Sequence, residues 1–358
     1  MNATVTREEI HEQVESRVRT VFEANAARSA DYGEGYAQLW RSAAEHVLGG
    51  KLLRPRLVVD LHAGLLDGAP ERPPLDVVIE LAAAVEILHY AFLLHDDVID
   101  GDTHRRGKPN LIGTLRSANP GLDRRAADHW ATTGAVLMGD LLLSAVHQMF
   151  ARLDLDADRR TRLLDLLDHT IAETVAGEYA DVGLSDGVIT PDLQTILTMT
   201  ARKTATYTFE FPLRLAAVLA GAAPPIEARL AATAQHLGIA FQLQDDALSV
   251  FGDAAEHGKE PYSDLREGKE TALIAYARMT SAWTAIRPGL GDPNLTADGA
   301  AAIRGHLRRC GAEAFVQQLV AEQIAAARAG LADDDLLLPS SARKTLADLI
   351  SRIEGRVS

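Results

Sequence analysis

The sequence predicts an all-α protein folded as one domain. Three observations carry this reading. Apolar residues recur at helical spacing, as in Ile10, Val14, Val18 and Val21, or Val78, Leu81, Val85, Leu88 and Phe92. Gly- and Pro-rich breaks recur at intervals of about one helix. No run alternates with the period of a strand, and no repeat, low-complexity tract or flexible linker divides the chain.

In chain order, Thr6 and Glu9 form a capping box for the first helix. Gly49-Gly50 interrupts the pattern before Lys51, and Gly68-Ala69-Pro70 with Pro73-Pro74 makes a turn. A helix then leads into the acidic stretch Leu93 to Asp100, followed by a loop through Gly101, Gly107 and Pro109. Helices are expected from about Asp128 to Phe150 and from about Asp156 to Val182. Thr190 with Pro191 at the first helical position marks a new start. Pro224-Pro225 breaks the chain, and Ile226 to Val250 is again helical. Gly252 to Gly268 reads as irregular and polar. Helix resumes at Lys269, breaks from Pro288 to Pro293, resumes after Thr296, and a last short helix follows Pro339.

Composition narrows the functional classes. The 358 residues are 47% hydrophobic and 24% charged, enough for a substantial core. A net charge of -14 argues against nucleic acid as the main partner. The one cysteine, Cys310, excludes an internal disulfide framework and a cysteine-rich zinc site, and fits a reducing compartment. Met1 to Glu9 lacks a basic-then-apolar leader pattern, and no apolar run is read as reaching the roughly 18 residues of a spanning helix. The expected location is therefore cytoplasmic.

Chemistry concentrates in two acidic helix ends. In His95-Asp96-Asp97-Val98-Ile99-Asp100, the carboxylates of Asp96 and Asp100 share a helix face with Asp97 adjacent. Such repulsion calls for a cation, and oxygen ligands suit a hard divalent one. Alone, the stretch reads as a solvated helix end, and Asp333-Asp334-Asp335 is an equally acidic run that reads as a loop. The second cluster, Phe241-Gln242-Leu243-Gln244-Asp245-Asp246, also ends a long apolar helix. Two such helices facing each other in a bundle would aim carboxylates into one cavity.

Basic residues lie in separate groups: Lys51, Arg54 and Arg56; Arg105, Arg106 and Lys108; Lys203; and Lys259, Arg266 and Lys269. Singly, each reads as a surface charge. Alternating with the carboxylates, they suggest a polyphosphate bridged through Mg²⁺ and gripped by arginine forks. The chain has no Gly-x-x-x-x-Gly-Lys-Ser/Thr loop, no Gly-x-Gly-x-x-Gly after a strand and no His-Glu-x-x-His.

Taken in order, these segments resemble the trans-isoprenyl diphosphate synthases, the polyprenyl synthetase family. The resemblance rests on Gly49 to Pro55, Leu88-His89, His95 to Asp100, Arg105-Arg106-Gly107, Gly139-Asp140, Lys203-Thr204, Phe241 to Asp246 and Ser263 to Lys269. It implies one all-α bundle around a deep central cavity over residues 1–358, with a motif-bearing core over about 45–275, usually as a homodimer. It implies head-to-tail condensation of isopentenyl diphosphate with an allylic diphosphate. By position, Asp96, Asp97, Asp100 and Asp245 would hold Mg²⁺, about three ions, on the allylic diphosphate. Asp246 belongs to the same cluster, directly or through water. Arg105, Lys203 and Lys259 would contact that diphosphate, with Thr204 and Gln242 nearby and Lys269 in the last motif. Lys51, Arg54, His89 and Arg106 would hold isopentenyl diphosphate.

Two positions depart from the family pattern. Ser249 stands where a third Asp is usual, and Glu178 where Gln is common. Asp245, Ser249 and Asp253 loosely fit the second metal motif of class I terpene cyclases, the main rival. A cyclase, however, leaves Lys51, Arg54, His89 and Arg106 without a purpose. A non-catalytic regulatory synthase subunit is a third reading, disfavoured by the complete first acidic motif. Product length is read from the helical turn before Asp96, where Tyr90, Ala91 and Phe92 stand as candidate floor residues, equally readable as ordinary core. A small residue at Ala91 beside Phe92 favours geranylgeranyl diphosphate (C20) over farnesyl diphosphate (C15).

Overall fold

The computed structural model describes residues 7–67, 74–105, 107–252, 262–332 and 338–356. Thr6, the turn at Gly68 to Pro73, Arg106, Asp253, Lys259 and Asp333 to Asp335 lie outside the described residues.

The all-α prediction holds. Among the described residues the only strands are a two-residue antiparallel pair, β1 (His104–Arg105) and β2 (Lys108–Pro109), within the expected loop. Contacts divide the chain into two compact units, residues 1–167 with 215–222, and residues 168–214 with 223–358.

The first unit is built on α4 (Leu75–Asp100), against which α1 (Arg7–Ser29), α3 (Leu53–Leu65) and α6 (Arg124–Ala151) pack. α2 (Glu34–Val47) packs on α1, and α5 (Leu111–Ser117) on α6. Every residue of α4 from Leu81 to Leu88 is buried, all of them apolar except Glu86, so this helix serves as the core of the unit. The stripe of α1 is legible, with Val14, Val18 and Val21 buried. Arg17 of α1 forms a bidentate ion pair with Glu80 of α4.

Two helices correct the expectation that no run could span a membrane. α4 and α6 are both long and apolar enough, with mean hydropathy 2.0 and 1.3 over 18 residues. That stretch of α4 is 72% buried, as a core helix is. On α6, by contrast, Trp130, Val136 and Leu137 are exposed.

The second unit centres on α10 (Pro224–Phe251), which starts at Pro224-Pro225 because proline suits the first helical turn. α7 (Ala157–Ser185) spans the expected helix, and α8 (Leu193–Thr200) begins two residues after Pro191 because Asp192, not Thr190, supplies the cap. α8 continues into a ten-residue π-helical stretch, Ala201–Glu210, and then α9 (Phe211–Leu219). α11 (Ser263–Glu267), α12 (Ala272–Arg278), α13 (Trp283–Ile286), α14 (Ala297–Arg309), α15 (Ala312–Ala332) and α16 (Ser340–Glu354) complete the unit. Thr296 caps α14 as the sequence suggests, whereas helix resumes at Ala272 rather than Lys269.

Candidate functional site

In the first unit the chain turns sharply after Asp100. Gly101 adopts a left-handed conformation, φ 72°, and its N–H and that of Asp102 return to carbonyls of the last turn of α4. Asn110 then fixes the loop from both sides: its amide donates to the Asp102 carbonyl, and its oxygen accepts from the Gly113 N–H. Held this way, β1 carries Arg105 back onto the acidic end. Arg105 Nη2 lies 2.5 Å from Asp97 Oδ1 and 3.3 Å from Asp96 Oδ2, and Arg105 Nε donates to Asp97 Oδ1 at 3.1 Å. Asp97 is buried. That burial raises its pKa above the usual carboxylate range, Arg105 offsetting only part of the effect. The Arg105 guanidinium is pushed up: burial opposes its charge, and Asp97 and Asp96 outweigh the burial. Asp100 is half-buried at the end of α4.

A cavity of about 380 Å³ opens beside this pair, lined by Gly49, Gly50, His89, Tyr90, Asp97 and Arg105, among others. Tyr90 is 6% exposed and its ring centroid is 6.3 Å from that of Phe22. Its hydroxyl is buried without a hydrogen-bond partner among the described residues, and burial, then Asp97, pushes its pKa above the usual phenol range. Ala91 is fully buried and Phe92 half-buried. Lys51 is exposed directly after Gly50, and Arg54 is half-buried in the first turn of α3. Between them Leu52 takes a left-handed conformation, φ 47°, which costs a branched residue about 1–2 kcal/mol. Its buried side chain holds it there. Backbone strain of this kind clusters at functional segments. The Gly139-Asp140 pair also finds a reason: a side chain at Gly139 would lie 2.4 Å from His95 Nε2, which sits 3.4 Å from Asp140.

In the second unit the π-helical stretch presents Lys203 and Thr204. Such stretches are rare and mark functional positions. Two glycines let neighbouring helices approach it backbone to backbone. A Cβ at Gly177 would lie 2.2 Å from Lys203 N, and one at Gly238 would lie 2.2 Å from Ala205 Cβ. Lys203 Nζ reaches Asp181 Oδ2 at 2.6 Å and Glu178 Oε2 at 2.9 Å. Thr204 Oγ1 donates to Gln242 Oε1 at 3.1 Å, and Gln242 Nε2 donates to Asp246 Oδ1 at 2.8 Å. Asp245 accepts from Arg356 Nη2 at 2.7 Å.

The structure thus joins Asp96, Asp97 and Arg105, and separately joins Thr204, Gln242 and Asp246. Lys269 pairs with Glu267 at 3.0 Å. Sequence reasoning missed Asp181 and Arg356. Asp181 was visible only as a carboxylate three residues after Glu178.

Among the described residues no three Asp, Glu, His or Cys side chains converge into a ready-made metal cage. The donors nonetheless fit a hard cation that completes its shell with phosphate or water. They are all oxygen, and Ser249, one helical turn after Asp245, keeps a buried hydroxyl without a partner among the described residues.

Known proteins are similar to this chain in sequence and fold. A family model described as polyprenyl synthetase matches residues 37–287. The geranylgeranyl pyrophosphate synthase of Corynebacterium glutamicum, solved with isoprenyl diphosphate and magnesium, has a TM-score of 0.89 and 30% identity, covering 98% of this chain and 99% of that one. A short chain isoprenyl diphosphate synthase of Methanocaldococcus jannaschii is 31% identical over 241 residues, 67% of this chain and 66% of its own length. A (2E,6E)-farnesyl diphosphate synthase of Mycobacterium tuberculosis is 31% identical over 248 residues, 69% of this chain and 60% of its own. The chain therefore spans somewhat under two thirds of the length of these curated relatives. With more than half of its residues matched, and with the acidic helix ends inside the matched segment, the chain belongs to the polyprenyl synthetase family.

Proposed function

We propose that the protein is a prenyltransferase condensing isopentenyl diphosphate with an allylic diphosphate, with geranylgeranyl diphosphate as its product. One observation carries the reading: each acidic helix end is matched with a side-chain cation, Asp96 and Asp97 with Arg105 above all, and Asp245 with Arg356. Exchangeable ion pairs of this kind suit a metal–diphosphate, which satisfies carboxylates through the cation and arginines through phosphate oxygens. Asp96, Asp97, Asp100, Asp245 and Asp246 would hold Mg²⁺, with Ser249 as a neutral donor. When bound, the cation neutralises charge growing on the leaving diphosphate.

The chain's own residues supply the rest. Arg105 and Lys203 turn from their carboxylates to the allylic diphosphate, adding fixed positive charge where the transition state develops negative charge. Lys51, Arg54, His89 and Arg106 hold isopentenyl diphosphate, in keeping with the place of His89 on the cavity wall next to Gly49-Gly50. The apolar surface of α4 keeps water from the allylic cation. The departing diphosphate takes the proton. The family match runs through both compact units, which supports a single catalytic domain over residues 1–358. The exposed apolar face of α6 supports a homodimer, and the unpaired Cys310 a cytoplasmic setting.

The C20 length is supported by the small Ala91 beside half-buried Phe92. The Mycobacterium tuberculosis relative makes C15 the second reading. The test is labelled isopentenyl diphosphate with each allylic starter in turn and Mg²⁺, followed by product sizing. A linear C20 product is expected. Cyclic hydrocarbon from a long allylic diphosphate alone, with no linear product, overturns the reading.

A further inference from the structure

Arg356 lies immediately beyond α16, and its position is fixed by several independent contacts. α16 buries Leu346, Leu349, Ile350 and Ile353. Gln244 of α10 donates from Nε2 to the Ile353 carbonyl at 3.0 Å. Arg328 of α15 pairs with Glu354. The Arg356 N–H itself donates to the Ile353 carbonyl at 3.1 Å.

The side chain is equally specific. Its guanidinium carbon stands 4.0 Å from the centroid of the Phe241 ring, a cation–π contact. Nη2 donates to Asp245 at 2.7 Å. Nη1 is buried and has no hydrogen-bond partner among the described residues. A buried guanidinium nitrogen without an acceptor costs free energy until one arrives. Arg356 therefore spends one nitrogen on a carboxylate of the acidic helix end and keeps a second in reserve beside it.

We infer that Arg356 is a further diphosphate-binding residue, acting as counter-ion of Asp245 until metal and diphosphate arrive and then donating to phosphate oxygens. This rests on the reading of Asp245 as a metal ligand. Phe241 keeps the guanidinium plane in place while its acceptor changes. Two effects of opposite sign follow. Arg356 competes with Mg²⁺ for Asp245 when no diphosphate is present, and it strengthens binding of the Mg²⁺–diphosphate complex. A residue that only clasped α16 to α10 would do neither.

The experiment is calorimetric titration of the full chain and of Arg356→Gln with Mg²⁺ alone, and with inorganic pyrophosphate in excess Mg²⁺. Melting temperatures are recorded alongside. The variant is expected to bind pyrophosphate about tenfold more weakly and Mg²⁺ alone more tightly. A lowered melting temperature with both affinities unchanged marks a structural clasp and overturns the inference. Should Arg356→Gln not fold, Arg356→Lys carries the test, because it keeps the charge and loses the second nitrogen. It is expected to bind pyrophosphate several-fold more weakly, and an unchanged affinity overturns the inference. The prenyl-transfer assay on the unmodified protein is read separately. A negative result there with Arg356-dependent pyrophosphate binding would sink the reaction and leave the role of Arg356 standing.

Discussion

Lys203 Nζ lies 2.6 Å from Asp181 Oδ2 and 2.9 Å from Glu178 Oε2, so two carboxylates share one ammonium. Asp181 and Glu178 are about as buried as Lys203 itself, which makes the pairing stronger than a surface bridge. Glu178 stands where glutamine is common in the resembling family. On the role proposed for Lys203, the extra charge of Glu178 would compete with the diphosphate for its ammonium.

Glu178→Gln is expected to free Lys203 in part. With about 1 kcal/mol released, the KM for the allylic diphosphate falls roughly fivefold. Steady-state kinetics with the allylic substrate varied would show it. A raised KM would mean that Glu178 is needed to aim Lys203 rather than being its competitor.

Arg105 compensates the buried charge of Asp97, whose side chain is only 4% exposed. Arg105→Ala leaves that charge unmatched and is expected to cost about 3 kcal/mol of unfolding free energy in urea. Adding Asp97→Asn removes the orphan charge, so the double variant should recover part of the loss. Strict additivity of the two changes would deny the coupling.

The two glycine contacts differ in what they meet. A methyl at Gly177 meets the Lys203 backbone nitrogen, which cannot move without shifting the π-helical stretch. At Gly139 it meets the His95 ring, which can turn. Gly177→Ala is expected to cost about 2–3 kcal/mol and to raise the KM for the allylic substrate, with Gly139→Ala the milder change. Equal losses in urea would remove the distinction.

The helices were legible because burial imposes a period on the sequence, and Val14, Val18 and Val21 of α1 show it directly. The break at Pro224-Pro225 was legible as well, since proline is costly inside a helix and suits its first turn. The partners of the charged motifs were not. Asp245 and Arg356 are brought together by the docking of α16 on α10, and nothing local in Arg352 to Arg356 announces it. The π-helical stretch was equally hidden, and the close approaches to it at Gly177 and Gly238 join segments far apart in sequence. Ser249 could be named from the motif, but its orphaned hydroxyl is a fact of packing.

His46 gives a pH dependence with a definite sign. Its Nε2 is 3.0 Å from Thr114 Oγ1, and burial lowers its pKa, with Glu45 opposing weakly. The folded protein thus binds the proton less readily than the unfolded chain. The contribution to stability is complete above the ordinary histidine value of about 6.5 and is lost as pH falls below it. The melting temperature should drop between pH 7.5 and 5.5, and His46→Asn should shrink that drop. Parallel curves for the two proteins would exclude His46 as a contributor.

Tyr90 and Phe92 stand two residues apart on α4 and are expected to do different work. Tyr90 is buried against Phe22 and lines the cavity with Asp97 and Arg105, so its ring is bound into the wall of the first unit. Phe92 is only half-buried although it lies on the core helix, four residues before Asp96. A residue that stays accessible there can meet a growing apolar chain. Phe92→Ala removes about one aromatic ring of blocking volume and should lengthen the product by at least one isoprene unit. Tyr90→Phe keeps the ring and removes only the unpartnered hydroxyl, so product length should hold while the KM for isopentenyl diphosphate changes. Product sizing by chromatography, with both substrates saturating, separates the two. An unchanged distribution in Phe92→Ala, or a longer product in Tyr90→Phe, would reverse the assignment.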